Sequence, residues 1–352
     1  MDGGNVRATE VAAMSDLVTP MALRVAATLH LADHIEQGLT TAPALAEEVG
    51  ADPSALARLM EHLVTAGVLT REGEEDEGGC EDAERVVAYE LTPRGEALCD
   101  DHPSALRAQL DLETAIGHAE LCFVQLLHSV RTGEGAYAVQ FGLPFWDDLR
   151  ADPDRTASYD AQMGLDAAEW ALTVVPAYDW GSLGHVTDVG GGNGTLLAAL
   201  LTACPTLHGT VLEQPATAAA ARETLRAAGL ADRGDAVAGS FFDPLTTTGS
   251  GGYLLSAILH DWDDRAAVTI LRRCAEAART GGGSVFVIEK TGAGGESPST
   301  AMDLRMLAYF GGRERGVSAL TALAAQAGLR VAAVHPAGPL SIIEMPVADP
   351  DA

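Results

Sequence analysis

The chain has 352 residues, and 22 Lys and Arg against 50 Asp and Glu give it a net charge of -28 at pH 7. A field this negative repels nucleic acids unless a basic patch is concentrated somewhere, and the sequence has no such patch. Five scattered cysteines without a C-x-x-C pair favour reduced thiols in the cytoplasm over a disulfide framework. No leader segment or membrane-spanning stretch is predicted, and the length allows two or three domains.

The N-terminal region, residues 1–103, is predicted to be a mainly helical domain. Apolar residues recur at helical spacing across Thr9–Gln37, with Pro20 as a kink between two helices. Terminal helices this apolar are rarely left exposed, so they either pack on their own domain or form a dimer. The pattern alone leaves both possibilities open.

The rest of this region has the pattern of a winged helix. Two segments that open on cap residues, Thr40–Gly50 and Asp52–Leu63, predict a helix-turn-helix. Val68–Arg71 and Tyr89–Thr92 predict the strands of the wing, and the loop between them begins with the acidic run Glu72–Glu77. That loop repels phosphates, and the second helix offers only one Arg and one His as donors, so DNA binding is not expected.

A helical segment, residues 104–172, is predicted to follow and to contribute to a substrate pocket. It carries four large side chains, Phe145, Trp146, Tyr159 and Met163, near its junction with the next domain. Any single one of them is more often a core residue than a ligand contact. Aromatic pockets at domain junctions nevertheless bind planar ligands, so these residues are pocket candidates.

The last region, residues 173–352, alternates strand-like and helical segments, which predicts an open α/β sheet. The final two strands are joined only by a short linker, so they are expected to form a hairpin that makes the sheet mixed. Ligands belong at the carboxyl ends of the early strands. The predicted strands are 186–189, 209–213, 235–238, 253–258, 284–289, 329–334 and 340–345.

A glycine-rich stretch, Asp188–Gly194, lies between the first of these strands and an Ala/Leu helix that begins at Thr195. Strand, tight turn and helix N-terminus together predict a site where the backbone approaches a small polar ligand closely. A dinucleotide fingerprint needs a third glycine at Thr195, so a nicotinamide cofactor is not expected. The pattern is D-x-G-x-G-x-G, in which Asp188 precedes the alternating glycines Gly190, Gly192 and Gly194.

Three further strand ends carry residues suited to a nucleoside and to proton transfer. Glu213 closes the next strand, about twenty residues beyond the turn, where an acid can bind both ribose hydroxyls. After the strand that follows, Phe241 and Phe242 offer rings for stacking on a purine. His260 comes at the end of the 253–258 strand beside two acids and a tryptophan, which favours a general base over a structural histidine.

Taken together, five motifs resemble those of the S-adenosylmethionine-dependent O-methyltransferases of the acetylserotonin/caffeate type, above all the bacterial branch that acts on aromatic polyketides. They are D-x-G-x-G-x-G, G-S-F-F-D-P, L-H-D-W-D-D, V-I-E and M-D-L-R-M-L-A-Y-F-G-G-R-E-R. The resemblance covers nearly the whole chain. It implies a Rossmann-like methyltransferase domain, a homodimer formed through the N-terminal domain, and S-adenosylmethionine as the cofactor, with S-adenosylhomocysteine as its product.

The resemblance also implies roles for individual residues. Glu213 would hold the ribose hydroxyls and Ser256 would reach the methionine end. His260 would be the base, oriented and polarised by Glu289 and Glu314, so no metal is expected. The other implied contacts are Gly190 and Gly192 along the methionine and ribose, Ser240 and Phe241 beside the adenine, and Asp303, Met306 and Phe310 in the acceptor pocket. Asp188 of the glycine turn and Phe242, the second purine-stacking candidate, are also predicted to bind the cofactor.

Two residues depart from the family pattern: Ser240 stands where many members have Asp, and Ser256 where plant members often have Lys, so some cofactor contacts are weaker or supplied by water. One alternative is a tailoring enzyme of the same fold that hydroxylates or decarboxylates, but such relatives tend to lack the His of L-H-D-W. Another is a winged-helix regulator, which the charge disfavours. The acceptor is expected to be a hydroxynaphthoic acid, with Arg24 or Arg313 as candidates for its carboxylate.

Overall fold

A computed structural model describes residues 10–72, 87–245 and 251–348. The chain packs as two compact units, residues 1–120 and 121–352. Most of the predicted acidic loop Glu72–Glu77 falls outside the described residues, and the predicted domain boundaries at residues 103 and 172 stay predictions. Across the described ranges, none of the helices has both the length and the apolar character needed to cross a membrane.

The first unit is built mainly from short helices around an apolar core. Asp52 caps its helix as predicted, and Thr41, one residue after the predicted start at Thr40, caps the other; each accepts a backbone N–H three residues on. Gly50 ends the first of these helices in the left-handed region, with a φ of 65°. An antiparallel pair follows, β1 (Leu69–Arg71) and β2 (Tyr89–Leu91). The helical segments of this unit are 10–14, Val18–Thr28, Leu31–Glu36, Ala42–Val49, Pro53–Thr65, Glu96–Leu98 (3-10), Leu106–Leu110 and Ala115–Glu120.

Pro20 does not kink the N-terminal helices as predicted, because it lies in the first turn of the helix Val18–Thr28. A proline there has no helical hydrogen bond to lose, and the break between the two helices falls at residues 15–17 instead. Several apolar side chains of this segment remain exposed: Val11, Met14, Leu17, Val18 and Met21. The N-terminal segment therefore presents apolar surface that the described part of the chain does not bury.

The second unit contains the mixed seven-stranded sheet that the sequence predicts. Its strands are β3 (His185–Val189), β4 (His208–Glu213), β5 (Gly234–Ala238), β6 (Gly252–Ser256), β7 (Ser284–Glu289), β8 (Ala333–Ala337) and β9 (Leu340–Pro346). They lie in the order β5-β4-β3-β6-β7-β9-β8. The five strands from β3 to β7 are parallel, whereas β9 runs antiparallel to β7 and forms the predicted hairpin with β8.

Helices cover both faces of this sheet because its strands carry apolar side chains on both sides. Along β6, Tyr253 and Leu255 belong to one core layer and Leu254 to the other. The helical segments of this unit are Leu121–Gln125 (3-10), Leu126–Thr132, Tyr137–Phe141, Phe145–Ala151, Pro153–Val174, Val175–Ala177 (3-10), Trp180–Leu183 (3-10), Thr195–Ala203, Pro215–Ala227, Leu259–Asp261 (3-10), Asp264–Gly281, Ala293–Gly295 (3-10), Thr300–Phe310 and Val317–Gln326.

The predicted end of β6 is wrong by two residues. The strand stops at Ser256 rather than at residue 258, because Ala257 adopts a left-handed φ of 54°. His260 consequently lies in a short 3-10 helix beyond the strand and not at the strand end itself.

The predicted position of β8 is also wrong. The strand spans Ala333–Ala337 instead of 329–334 and includes Pro336, which the sequence places in a linker. Proline is tolerated there because β8 is the edge of the sheet, where one side of the backbone has no partner strand.

A substitution at Leu200 tests how the helices pack on the sheet. Its side chain is fully buried, whereas Thr202 on the same helix is exposed. We expect Leu200→Ala to lower the free energy of unfolding by about 2–5 kcal/mol, because the substitution leaves a cavity. Thr202→Ala, the matched control, should change it by less than about 0.5 kcal/mol. Urea unfolding followed by circular dichroism measures both, and equal effects would contradict the packing described.

Candidate functional site

The five parallel strands β3 to β7 bring their carboxyl ends to one edge of the sheet, which is where α/β folds bind ligands. The residues predicted for the cofactor and for catalysis gather there. They are Asp188, Gly190 and Gly192 at the end of β3, Glu213 at the end of β4, Ser240, Phe241 and Phe242 after β5, Ser256 and His260 at and beyond the end of β6, Glu289 at the end of β7, and Glu314 in the loop after the helix Thr300–Phe310.

The glycine turn encloses a buried acid that lacks hydrogen bonds. Asp188 is 1% exposed, and neither of its carboxylate oxygens has a hydrogen-bond partner within the described residues. A Cβ on Gly191 would lie 2.4 Å from Asp188 Oδ2, so a side chain does not fit over the carboxylate. Burial, with a smaller contribution from Glu213, raises the pKa of Asp188 to about 7. A ligand that brings a positive charge or hydrogen-bond donors would satisfy this acid.

The turn is open to a ligand at Gly192. Gly190 and Gly192 have φ values of 75° and 55°, in the left-handed region that favours glycine. A Cβ on Gly192 would meet nothing within 4 Å, so this part of the backbone faces free space. The helix Thr195–Ala203 begins directly afterwards, and its first N–H groups attract polar or negative atoms.

A second acid, Glu213, lies beside the turn. Burial raises the pKa of Glu213 to about 6; the backbone N–H of Gln214 opposes the shift, Asp160 adds to it, and the backbone N–H of Gly192 opposes it more weakly. Burial also raises the pKa of Asp160, which belongs to the helix Pro153–Val174. Asn193 of the turn donates to the Asp160 carbonyl at 3.3 Å and so joins this helix to the site. Sequence reasoning missed Asp160, because nothing in its helical pattern marks it.

The three residues predicted around the adenine are placed differently from one another. A Cβ on Gly190 would lie 3.4 Å from the ring of Phe241, so this ring lies beside the glycine turn. Phe242 packs against Trp262, with ring centroids 4.8 Å apart, and against Phe241, with centroids 5.0 Å apart. Ser240 accepts the backbone N–H of Phe242 at 3.2 Å, which engages its hydroxyl locally.

His260 lies among three carboxylates. Its Nδ1 is 2.8 Å from Glu289 Oε2 and 3.9 Å from Glu314 Oε1, and its Nε2 is 3.4 Å from Asp261 Oδ1. Glu289 is 3% exposed, and its other oxygen accepts the backbone N–H of Leu259 at 3.0 Å. The acid is therefore fixed by the same turn that carries the histidine. This arrangement directs Nδ1 at Glu289, whereas Nε2 has the longer contact with Asp261.

The charges around His260 shift the pKa values of its cluster. Burial lowers the pKa of His260, but the neighbouring carboxylates outweigh burial and raise that pKa to about 10, with Glu289 the largest contributor among them. Burial raises the pKa of Asp261 to about 7 and that of Glu314 to about 6, although His260 opposes both shifts. At neutral pH the cluster thus holds a proton on the imidazole, and its members titrate as a coupled group.

A buried arginine that the sequence analysis passed over supports this turn. Arg315 is 5% exposed and donates to the carbonyl oxygens of Leu259 and Trp262 at 2.7 and 2.8 Å, and to Asp264 Oδ1 at 2.8 Å. These bonds hold the backbone on both sides of His260. The motif G-G-R-E-R contains Arg315, but its burial depends on packing that the motif does not reveal.

An aromatic cavity of about 310 Å³ adjoins the histidine turn. Trp146 and Phe310, two of the predicted pocket residues, line it together with Asp261 and Trp262. Phe145 lines it as well, but this ring is 3% exposed and forms the centre of an aromatic cluster with its neighbours. The cavity is large enough for a bicyclic aromatic compound.

The other predicted pocket residues lie apart from this cavity's lining. Asp303 accepts the backbone N–H of Glu314 at 2.9 Å and lines a different cavity, together with Arg313. Met306 is buried, and its carbonyl oxygen accepts the backbone N–H of Gly312. Met163 is half-buried on the helix Pro153–Val174. Asp303 and Met306 therefore support the loop that carries Glu314.

Family comparison matches both units of the chain. An O-methyltransferase domain matches residues 123–330, and an O-methyltransferase dimerisation domain matches residues 11–101. The dimerisation domain predicted at the N-terminus is thereby confirmed.

Individual relatives match nearly the whole chain. The 2,7-dihydroxy-5-methyl-1-naphthoate 7-O-methyltransferase of Streptomyces carzinostaticus is 51% identical over 333 residues, which cover 95% of this chain and 96% of the relative. The aclacinomycin 10-hydroxylase RdmB of Streptomyces purpurascens is 44% identical over 329 residues, which cover 92% of this chain and 85% of the relative.

Solved structures agree with these matches. The crystal structure of the O-methyltransferase NcsB1 from neocarzinostatin biosynthesis, in complex with S-adenosyl-L-homocysteine and 1,4-dihydroxy-2-naphthoic acid, matches with a TM-score of 0.88 and 51% identity. The match covers 96% of this chain and 98% of that chain. The fold, the motifs at its ligand-binding edge and these matches together show that the chain belongs to the S-adenosylmethionine-dependent O-methyltransferase family.

Proposed function

We propose that this enzyme transfers the methyl group of S-adenosylmethionine to a phenolic hydroxyl of an aromatic polyketide-type compound, with a hydroxynaphthoic acid as the acceptor. The observation that carries the proposal is the pairing of His260 with Glu289 next to an aromatic cavity. The 51% identity with a naphthoate O-methyltransferase supports the acceptor class.

The glycine turn and its acids form the cofactor half of the proposed site. S-adenosylmethionine, when bound, supplies an electrophilic methyl group on a positively charged sulfur. Its ammonium and ribose hydroxyls are the kind of donors that buried carboxylates require. We assign the positively charged end to Asp188, the ribose hydroxyls to Glu213 and a contact with the adenine to Phe241, while Ser256 lies at the methionine end.

His260 is the proposed base of the reaction. Its bond to Glu289 engages Nδ1, so in the neutral imidazole it is Nε2 that takes the proton of a phenol as the oxygen attacks. The neighbouring carboxylates raise the pKa of His260 towards that of a phenol, which is near 10, and so make the imidazole a stronger proton acceptor. Such a base contributes about a hundredfold to ten-thousandfold in rate. Alignment of the acceptor in the aromatic cavity contributes several kcal/mol more.

The N-terminal unit is proposed to form a homodimer. Its exposed apolar side chains, among them Met14 at 86% and Leu17 at 68%, need a partner surface, and they fall within the matched dimerisation domain. We place the enzyme in the cytoplasm. The thiols of Cys99, Cys204 and Cys274 support this placement, since none of these three is part of a disulfide.

Hydroxylation is a second candidate function, because the chain is 44% identical to an aclacinomycin hydroxylase. We favour methyl transfer because His260 and its acids form an oriented proton acceptor, which this reaction uses. An assay that separates methylated from hydroxylated products distinguishes the two.

We expect His260→Ala to lower the turnover of methyl transfer by about a hundredfold to ten-thousandfold, because the proton acceptor is lost. The affinity for S-adenosylhomocysteine, measured by calorimetry, should stay within about twofold, since His260 is assigned to the acceptor oxygen. His335→Ala, on the edge strand β8, is the matched control and should retain turnover. Undiminished turnover of the His260 variant would exclude it as the base.

The pH profile tests the role of Glu289. A base must be neutral to accept a proton, so we expect kcat/KM to rise with pH up to about 10, the pKa of His260 in the free enzyme. In Glu289→Gln the amide oxygen can still accept from Leu259, but the charge is lost, so the pKa of His260 falls and the rise moves to lower pH. Glu276→Gln on the surface serves as the control. A profile that stays in place, or moves to higher pH, would contradict the assignment.

A further inference from the structure

One cationic side chain at the ligand-binding edge of the sheet has no anionic partner among the described residues. Lys290, the only lysine of the sequence, follows Glu289 directly and lies just beyond the carboxyl end of β7. The residue is partly buried, and within the described ranges its side chain forms neither a hydrogen bond nor an ion pair. Removing an ammonium from water is costly without an anion, so Lys290 marks a place where a bound anion can complete the pairing.

An aromatic ring holds this ammonium in place. Lys290 Nζ lies 4.8 Å from the centroid of the Trp170 ring, which is a cation–π contact. Trp170 belongs to the helix Pro153–Val174, and the same helix packs against the glycine turn, since a Cβ on Gly164 would lie 2.5 Å from Asn193 Nδ2. An ammonium has three N–H donors, so the contact with the ring leaves donors available to an anion.

The acids that Lys290 influences lie on two sides of the site. Burial raises the pKa of Asp166, one helical turn before the tryptophan, and a hydrogen bond from Gln162 and the charge of Lys290 oppose the shift. Burial raises the pKa of Glu314 to about 6, and the opposing charges are His260 and, more weakly, Lys290. The ammonium therefore lies between the helix that adjoins the glycine turn and the carboxylates around His260.

The strand register places Lys290 near the methionine end of the cofactor. Ser256, which is assigned to that end, pairs with Ile288 of β7, and Lys290 follows Ile288 by two residues. Lys290 is absent from the described lining of the aromatic cavity, which is assigned to the acceptor. The methionine end carries an ammonium, assigned to Asp188, and also a carboxylate. The acids of this edge repel that carboxylate unless a cation pairs with it.

We propose that the ammonium of Lys290 binds the carboxylate at the methionine end of S-adenosylmethionine through a charge-assisted hydrogen bond, and that the ring of Trp170 positions the ammonium for this contact. Together with Asp188, Lys290 gives the site one charged side chain for each charge of the cofactor's amino-acid group. The inference rests on the proposed function, because it takes this edge of the sheet as the cofactor site. Lys290 binds the cofactor and takes no part in proton transfer.

Calorimetry with two nucleosides tests the contact without turnover. The compounds are S-adenosylhomocysteine and its decarboxylated analogue, which keeps the adenosine, the thioether and the amine. Lys290→Met keeps an unbranched side chain beside Trp170 but removes the charge. We expect the Kd of S-adenosylhomocysteine to rise about tenfold in this variant and that of the analogue to change less than about twofold. Lys290→Arg keeps a cation and should bind S-adenosylhomocysteine within about threefold of the unaltered enzyme.

Arg226→Met is the matched control, because it removes one positive charge from an exposed surface pair. Both compounds should bind this variant within about twofold of the unaltered enzyme. The unaltered enzyme gives a second readout that does not depend on the folding of a variant, since it should bind S-adenosylhomocysteine about tenfold more tightly than the analogue. Equal affinities there, no loss in Lys290→Met, or equal losses for both compounds in that variant would overturn the proposal.

The acceptor is the other source of a carboxylate, and a further titration distinguishes the two. A hydroxynaphthoic acid is titrated into the unaltered enzyme and into Lys290→Met, each saturated with S-adenosylhomocysteine. If the variant binds the acid more weakly but S-adenosylhomocysteine as tightly as before, the lysine binds the acceptor and the proposal fails.

The same measurements separate this inference from the proposed function. If S-adenosylhomocysteine loses affinity in Lys290→Met as expected, but the unaltered enzyme methylates no hydroxynaphthoic acid, the lysine contact stands and the proposed function fails. If the unaltered enzyme methylates the acid and Lys290→Met binds S-adenosylhomocysteine normally, the proposed function stands and the inference fails. If the unaltered enzyme does not bind S-adenosylhomocysteine, both fail.

Discussion

The hydrogen bond between His260 Nδ1 and Glu289 Oε2 is the interaction on which the proposed site depends, because it engages Nδ1 and so makes Nε2 the nitrogen proposed to accept a proton. It joins two neighbouring parallel strands, since Glu289 ends β7 and His260 follows β6 by four residues. The left-handed backbone at Ala257 turns the chain at the end of β6, and its N–H donates to the Ile288 carbonyl of β7 at 2.9 Å. The histidine is thus positioned by the sheet, and Arg315 donates a hydrogen bond to the backbone of the turn that carries it.

The same edge of the sheet concentrates acids whose burial is costly unless positive charge is present. Asp188 and Glu213 lie by the glycine turn, and Asp261 and Glu314 lie by the histidine, and burial raises all four pKa values. The proposed methyl transfer would bring a positive sulfur to this edge and pass a proton to it. The net charge of the chain is -28, and the site is likewise acidic, because its carboxylates outnumber the cationic side chains that could pair with them.

Local sequence patterns predict much of the fold and of the candidate site. The parallel strands, the hairpin of β8 and β9, and the gathering of Asp188, Glu213, His260 and Glu289 follow from strand ends and motif spacing, because carboxyl ends of parallel strands meet. Tertiary contacts decide the rest. Nothing local marks Arg315 as buried or Lys290 as stacked on Trp170, and the strand end before His260 was placed too late because a left-handed alanine has no sequence signature. Glu314 was predicted from the resemblance of its motif to those of the family, and the hydrophobic periodicity of the sequence does not indicate it.

The most direct measurement of the central claim is a crystal structure of the enzyme with S-adenosylhomocysteine and a hydroxynaphthoic acid. We expect the phenolic oxygen to lie within about 2.6–3.2 Å of His260 Nε2, with Nδ1 still bonded to Glu289. A phenolic oxygen bound to another group while Nε2 faces only protein, or an imidazole turned so that Nε2 meets Glu289, would contradict it.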